Sequence, residues 1–341
     1  MAVVTHDQDF TSATNPFRPE LLAHCYRMLG SIHEAEDLVQ ETYLRAWRSY
    51  DAFEGRSSLR TWLYRIATNT CLTALESRNR RPMPTGLGGP SEEPEGDLDV
   101  RHEVPWLEPI PDSSVDAGND PAAVVTSRES LRLALIAALQ HLPPRQRAVL
   151  LLRDVLRWRA AEVADLLDVS TAAANSMLQR ARAQLAKVTP SEDTKPGPIS
   201  AEQRKMLEKY VEAFERKDVT ALVELFTSDA VWEMPPFAAW FQGPAAIGTV
   251  IATQCPAGSD DLRLLPTAAN GQPAFGVYMR DGTDGTYRKF QLQVLTLTGG
   301  TVSHVAAFFD LSLFEVFGLP EVYPGDERTG RDSRESLAAR S

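Results

Sequence analysis

Apolar residues recur at helical spacing near the start of the chain. One stripe lies between residues 31 and 46, a polar loop follows at residues 50–58, and a second apolar pattern covers residues 59–72. Ser31 is a suitable N-cap for the first helix, and Glu34 holds its capping-box position. The first stripe consists of Ala35, Leu38, Val39, Thr42 and Ala46. These patterns predict a small helical domain.

A second set of helices is predicted between residues 127 and 188. A stripe of leucines precedes Pro143 and Pro144, which break the chain before a further helix begins. Ser170 then caps a helix over residues 171–187. The inward positions of that helix are Ala174, Leu178, Ala181 and Leu185. A tight turn followed by a capped helix is typical of a helix-turn-helix, although an ordinary three-helix bundle would give a similar pattern.

The pattern changes again after residue 199. Two amphipathic helices, over residues 202–214 and 219–226, are followed by segments with the alternation of strands. Residues 240–247 are expected to form a loop and a short helix. The predicted strands cover residues 230–234, 274–280, 287–297 and 301–309. This part of the chain therefore predicts an α+β domain.

The predicted fold class is a multidomain protein, with two all-α domains and a C-terminal α+β domain. Segments rich in Pro, Gly and acidic residues separate the domains and are expected to be linkers. The expected division is residues 11–81 for the first helical domain, 82–126 for an acidic, mostly unstructured linker, 127–188 for the second helical domain, 189–198 for a short linker, 199–324 for the α+β domain and 325–341 for a disordered tail.

Composition narrows the classes of function. The 341 residues carry a net charge of -11, so the free protein should be repelled by bare DNA. The three cysteines, Cys25, Cys71 and Cys255, fit neither a disulfide framework nor a zinc site, and neither metal nor cofactor is expected. No apolar run is long enough to span a bilayer, and the first residues do not resemble a secretory signal. A cytoplasmic protein without a membrane partner is therefore expected.

Candidate nucleic-acid contacts occur in both helical domains. Around Trp62 and Asn69, aromatic, amide and basic side chains alternate, a mixture that suits single-stranded nucleic acid, although Trp62 could equally be a core residue. The outward face of the capped helix carries side chains that can read base edges in the major groove. These outward residues are Thr171, Asn175, Ser176, Gln179 and Arg182. An acidic helix face at Asp37, Gln40 and Glu41 is either a solvated surface or a docking surface.

Both helical domains resemble the extracytoplasmic-function group of the sigma-70 family, over roughly residues 17–188. The motifs are AEDLVQET at residues 35–42, FEG at 53–55, RTWLYRIA at 60–67, LPPRQR at 142–147 and LQRAR at 178–182. The resemblance implies a subunit that binds core RNA polymerase, through its β′ clamp helices and β flap, and directs it to promoter DNA.

The same resemblance assigns roles to individual residues. It implies that Asp37, Gln40 and Glu41 bind the polymerase. It implies that the −10 element is opened and read by Phe53, Arg56, Trp62, Arg65 and Asn69, and that the −35 element is read by Thr171, Asn175, Ser176, Gln179 and Arg182. The family often has cations where this chain has Asn175 and Met177, so weaker phosphate contacts are expected.

The C-terminal domain resembles the SnoaL-like cyclase and isomerase superfamily, a cone-shaped α+β fold around a pocket. The resemblance is carried by YVEAF at residues 210–214, LFTSDAVW at 225–232 and FQGP at 241–244. Candidate pocket residues, for a small-molecule ligand, are Trp232, Met234, Trp240, Tyr278, His304 and Phe309. Glu233, His304 and Asp310 are candidate acid–base groups, but no spacing singles out a pair, and a regulatory rather than catalytic domain is expected.

An apolar island, residues 104–110, interrupts the acidic linker and is either a docking peptide or a local hydrophobic cluster. Two rival functions stay open on the sequence alone. One is a helix-turn-helix regulator that works without polymerase, which the acidity of the chain disfavours. The other is an isomerase or cyclase fused to DNA-binding helices.

Overall fold

Three long helices form most of the described part of the first helical domain. The structure is a computed structural model that describes residues 9–77, 80–115, 130–188 and 199–325. Helices α1 (Arg18–Leu29), α2 (Ile32–Ser49) and α3 (Leu59–Leu75) pack around buried apolar side chains. As predicted, the Ser31 hydroxyl caps α2, accepting a hydrogen bond from the Glu34 amide at 3.1 Å.

The second helical domain contains the predicted helix-turn-helix. Helices α4 (Leu133–Leu139) and α5 (Pro144–Leu150) precede α6 (Ala160–Leu166) and α7 (Thr171–Val188). The chain turns between α6 and α7 at Asp168, whose φ is 51°, a left-handed conformation that aspartate tolerates better than most residues. The inward positions Ala174, Leu178 and Ala181 are buried, and this pattern confirms the predicted orientation of α7.

The C-terminal domain is a six-stranded sheet with longer helices on its inner face and one short helix, Leu313–Val316, at its outer face. Helices α8 (Ala201–Glu215), α9 (Val219–Val223), α10 (Pro244–Gln254) and the short α11 (Leu313–Val316) accompany strands β1 (Phe226–Glu233), β2 (Trp240–Gln242), β3 (Leu262–Ala269), β4 (Gln272–Arg280), β5 (Tyr287–Thr298) and β6 (Thr301–Phe308). The strand order is β2-β1-β6-β5-β4-β3, with β1 and β6 parallel and the other neighbours antiparallel. The mixed α+β fold class is confirmed.

The two faces of this sheet belong to different cores. Its inner face, directed toward α8 and α10, buries Trp232 and Phe275 against Tyr210 and Phe214. The outer face carries a separate apolar set, which joins the core of both helical domains. That outer set comprises Ala269, Ala274, Leu292, Val294, Ala306 and Phe308. The C-terminal domain is therefore docked on the helical domains by the outer face of its sheet.

Two strands, the start of β1 and one helix boundary differ from the prediction, since β1 begins at Phe226 rather than at residue 230. Strands β2 and β3 were not expected, and the helix predicted to end at residue 226 ends at Val223 because Phe226 already belongs to β1. β2 has three residues, too few for an alternating pattern. β3 contains Pro266, and a proline in the sequence argues against a central strand. Because β3 lies at the edge of the sheet, the proline is tolerated there.

The expectation of a mostly unstructured linker is wrong for residues 82–115. This segment is tied to the C-terminal domain by backbone hydrogen bonds from Ser91 to Trp240 and from Arg101 to Pro236. Leu107 and Ile110, within the apolar island, are fully buried. Burying two such side chains contributes about 1.5–3 kcal/mol each, and together with the long-range backbone hydrogen bonds this offsets part of the ordering cost of the segment.

The remaining linker predictions lie outside the described residues. These are residues 116–126 of the acidic segment, the short linker 189–198, and the tail from residue 326 onward. Across the described ranges, none of the helices combines the length and apolar character that crossing a membrane requires.

Candidate nucleic-acid interface

The acidic face of α2 is accessible and extends further than predicted. Asp37 and Gln40 are exposed, while Glu41 is half-buried and accepts a hydrogen bond from Arg45 Nε at 2.7 Å. Leu44 and Trp47 continue the same face and are 51% and 43% exposed. Large apolar side chains this exposed beside acidic groups are typical of a protein-binding surface. The signal that could have found them is the helical spacing of 37, 40, 44 and 47.

The loop before α3 forms a small aromatic cavity with that helix. The rings of Phe53 and Trp62 lie 4.8 Å apart, centroid to centroid, at an angle of 33°. They line a cavity of about 300 Å³ together with Arg56 and Ser57. Asn69 is exposed two turns further along α3. The structure thus brings three of the predicted −10 residues, Phe53, Arg56 and Trp62, to one cavity.

Arg65, the remaining predicted −10 residue on α3, faces the second helical domain instead. Its guanidinium pairs with the Asp165 carboxylate of α6 at 2.7 Å. The ring of the preceding residue, Tyr64, meets the ring of Trp158 edge to face, with centroids 6.4 Å apart. Arg147 of α5 also reaches into the first domain and donates a hydrogen bond to the Met28 carbonyl. The two helical domains therefore contact each other directly.

The outward face of α7 is exposed in this arrangement. Thr171, Asn175, Ser176 and Gln179 all lie on it. Arg182 lies there too, but its guanidinium makes a two-point contact with Asp154, at 2.9 and 2.6 Å. This pairing raises the pKa of Arg182 and holds the guanidinium against its own domain.

Glu108 of the apolar island joins the linker to the start of α2. Its carboxylate accepts hydrogen bonds from the Ser31 hydroxyl at 2.7 Å and from His33 Nδ1 at 2.9 Å. Burial alone would raise the pKa of Glu108, but these hydrogen bonds outweigh it and hold the pKa low. The same hydrogen bond raises the pKa of His33. Of the two readings of the island, the structure favours a docking peptide.

Asn270, in the turn between β3 and β4, contacts every other unit of the molecule. Its Oδ1 accepts a hydrogen bond from the Ile110 amide of the linker at 3.0 Å. Its Nδ2 donates to the Tyr26 hydroxyl of the first domain at 2.8 Å and to the Leu131 carbonyl of the second at 2.6 Å. The side chain is completely buried. Sequence reasoning missed this residue; an Asn-Gly pair signals a hairpin turn, but nothing local reveals its distant partners.

The six candidate pocket residues do not surround one cavity. Trp232 and Met234 belong to the inner core, and Trp240 Nε1 donates to the Gly88 carbonyl of the linker. Tyr278 packs on Phe314, and Phe309 lies between Phe237 and Phe290. His304 lies on the outer face of the sheet, where its Nε2 is 2.7 Å from the Glu233 carboxylate. The single pocket predicted from these residues is therefore not formed.

Comparison with known protein families divides the chain in the same way. Residues 15–81 match Sigma-70 region 2, residues 132–185 match Sigma-70, region 4, and residues 207–311 match the SnoaL-like domain. The fold and surfaces thus define a transcription protein built from two sigma-70 domains with a fused SnoaL-like domain.

Known relatives match the chain over different extents. The chain is 60% identical over 315 residues to the ECF RNA polymerase sigma factor SigG of Mycobacterium tuberculosis, covering 92% of this chain and 84% of that protein. It is 31% identical over 184 residues to SigW of Bacillus subtilis, covering 53% of this chain and 89% of that protein. The crystal structure of Mycobacterium tuberculosis SigJ, 22% identical, has the same fold with a TM-score of 0.58 over 91% of this chain and all of that one.

The chain belongs to the extracytoplasmic-function sigma factors of RNA polymerase, and it acts in promoter-directed initiation of transcription.

Proposed function

We propose that this sigma factor exists free in a closed state, in which its fused C-terminal domain holds the two promoter-reading domains together and keeps them from promoter DNA. The observation that carries the proposal is the contact between Arg65 of α3 and Asp165 of α6. A residue expected to act at the −10 element is paired with the helix-turn-helix expected to act at the −35 element.

The geometry of a promoter requires these domains to separate. Elements centred 25 base pairs apart lie roughly 85 Å from each other along B-DNA, at about 3.4 Å per base pair. The two domains here share side-chain contacts, so they cannot occupy both elements at once. Opening must break the Arg65–Asp165 pair and the contact of Tyr64 with Trp158.

In the open state, each predicted surface takes a separate role. Asp37, Gln40 and Glu41 bind the β′ clamp helices, and the exposed Leu44 and Trp47 add apolar area to that contact. The Phe53–Trp62 cavity accepts a base extruded from the −10 element, because flat aromatic walls offset the loss of stacking. The second domain binds the β flap.

At the −35 element, the exposed face of α7 enters the major groove. This role falls to Thr171, Asn175, Ser176 and Gln179, with Arg182 joining them after leaving Asp154.

The C-terminal domain acts as a regulator rather than an enzyme. Its inner face holds the stacked rings of Tyr210, Phe214 and Trp232, which pack together in the buried core of the domain. The one histidine–carboxylate pair among the candidate groups, His304 with Glu233, lies on the outer face instead. Asn270 supplies the main hydrogen bonds between this domain and the rest of the chain.

Run-off transcription with core polymerase tests the closed state. Asn270→Ala in the full chain removes hydrogen bonds to three units, so we expect transcription per mole of sigma factor to rise several-fold. Asn175→Ala should lower it, since α7 reads DNA. Unchanged transcription in Asn270→Ala, with the protein folded, would contradict the proposal.

A further inference from the structure

A cavity of about 690 Å³ lies where the linker, the second helical domain and the C-terminal domain meet. Thr85 lines it from the linker, Ala137 and His141 from α4 and its end, and Glu233 and His304 from the outer face of the sheet. It lies on the opposite side of the sheet from the inner core, which faces α8 and α10. Its volume is in the range of sites that bind small organic molecules.

The two walls of the cavity differ in chemistry. The α4 wall is mainly apolar, with Leu133 and Ala137. The opposite wall is the outer face of β1, where alternate residues Thr227, Asp229 and Glu233 point the same way. A molecule that fits both walls has an apolar body and a polar end.

Charge selects the sign of that polar end. The lining contains the carboxylates of Asp229 and Glu233, and among the described residues that line the cavity there is neither lysine nor arginine. Arg80 lies just outside and donates to His141 at 2.8 Å. Two carboxylates against an apolar wall produce a negative potential that favours a cation and opposes an anion.

Of the polar groups on this wall, the Glu233 carboxylate has hydrogen-bond partners within the protein, whereas the Thr227 hydroxyl has none. Glu233, 2% exposed, accepts a hydrogen bond from the Thr85 amide at 3.0 Å and is 2.7 Å from His304 Nε2. The Thr227 hydroxyl oxygen, in contrast, is buried without a hydrogen-bond partner. A buried hydroxyl without a hydrogen-bond partner is unfavourable. It lies on the same strand face as Asp229.

We infer that this cavity binds a small organic cation, an ammonium group on a compact apolar body. The ammonium lies against the exposed Asp229 carboxylate, and the apolar body packs on Leu133 and Ala137. Since three units supply the walls, the site is complete only while they are docked. The cation therefore stabilises the docked arrangement, and core polymerase and the cation weaken each other's binding. This last consequence rests on the proposed closed state, whereas the binding itself does not.

Binding to the full chain is tested with phenethylammonium chloride, and with phenethyl alcohol as a neutral probe of the same shape. Isothermal calorimetry should show saturable binding of the cation at least tenfold tighter than that of the alcohol. Asp229→Asn should weaken the cation at least tenfold and leave the alcohol unchanged. Glu224→Gln, which removes an exposed carboxylate outside the cavity, is the matched control and should change neither.

Three results would overturn the site: no saturable binding of phenethylammonium, equal affinity for the alcohol, or undiminished affinity in Asp229→Asn. A cation that binds as expected but leaves run-off transcription unchanged would refute the closed state and leave the site standing. Failure of binding while Asn270→Ala still activates transcription would do the reverse.

Discussion

The inner face of the C-terminal sheet forms the core of its own domain, whereas the outer face of the same strands contacts the rest of the chain. The inner face is closed by the domain's own helices, with Phe241 and Tyr210 fully buried. The outer face is covered by other units, and its buried polar side chains, Asn270 and Gln272, bond across to them. The inner face is therefore packed by the domain itself, whereas the outer face supplies the contacts with the rest of the chain.

The largest effect is expected on the inner face. Phe241→Ala removes a fully buried ring and should lower the free energy of unfolding by about 3–5 kcal/mol. Urea denaturation followed by circular dichroism measures this. A loss below about 1 kcal/mol would mean that the inner core is not what holds the domain together.

The outer face should separate docking from folding. Asn270→Ala leaves the Ile110 amide and Leu131 carbonyl without their partner, at about 1–3 kcal/mol for each buried group left unsatisfied. We expect the C-terminal domain to keep its sheet while it separates from the helical domains. Small-angle scattering should show a larger radius of gyration than for the parent chain. An unchanged radius would show that apolar contacts alone maintain docking.

The sequence predicts those features of the fold that depend on neighbouring residues, and it does not predict those that depend on distant ones. The caps at Ser31 and Ser170 and the inward face of α7 follow from neighbouring residues, and the structure has all of them. Neighbouring residues do not reveal on which side of the sheet His304 lies, because the pairing of β5 with β6 shifts register between Thr296 and Leu297. One irregularity of this kind reverses which residues face the core.

The linker was misjudged for a related reason. Its acidity and proline content are properties of composition, whereas its order comes from partners more than a hundred residues away, such as Trp240 for Ser91. Glu108 illustrates the same point, since its partners Ser31 and His33 belong to a different domain. Long-range pairing of this kind leaves no periodic trace in the sequence.

A smaller effect is expected where the two helical domains meet. Asp165→Asn breaks the pair with Arg65 but leaves Arg65 available for DNA. Asp165 is 70% exposed, so the loss should be below about 1 kcal/mol. Run-off transcription should rise by less than in Asn270→Ala. An increase equal to that of Asn270→Ala would move the main restraint from the C-terminal domain to this contact.

The smallest effect concerns pH at the junction of α2 and the linker. Glu108 raises the pKa of His33 in the folded chain. The stabilisation that protonated His33 gives to this junction is therefore complete below the unfolded pKa, about 6.5. That contribution disappears as pH rises through the raised value. We expect docking, measured by scattering, to weaken slightly from pH 6 to pH 9 in the parent chain. In His33→Ala, docking should be weaker than in the parent chain at pH 6, and this part of its pH dependence should be absent. Identical pH profiles of docking in the two proteins would exclude His33 as the source of the pH dependence.

The distance between the two helical domains tests the central claim most directly. Donor and acceptor dyes can be placed on the exposed positions Asp51 and Ala183, in a Cys255→Ser background that leaves only the buried Cys25 and Cys71. Energy transfer should be high in the free chain and fall sharply when core polymerase and promoter DNA are added, as the domains move onto elements roughly 85 Å apart. Equal transfer in the free chain and in the transcribing complex would contradict the closed state.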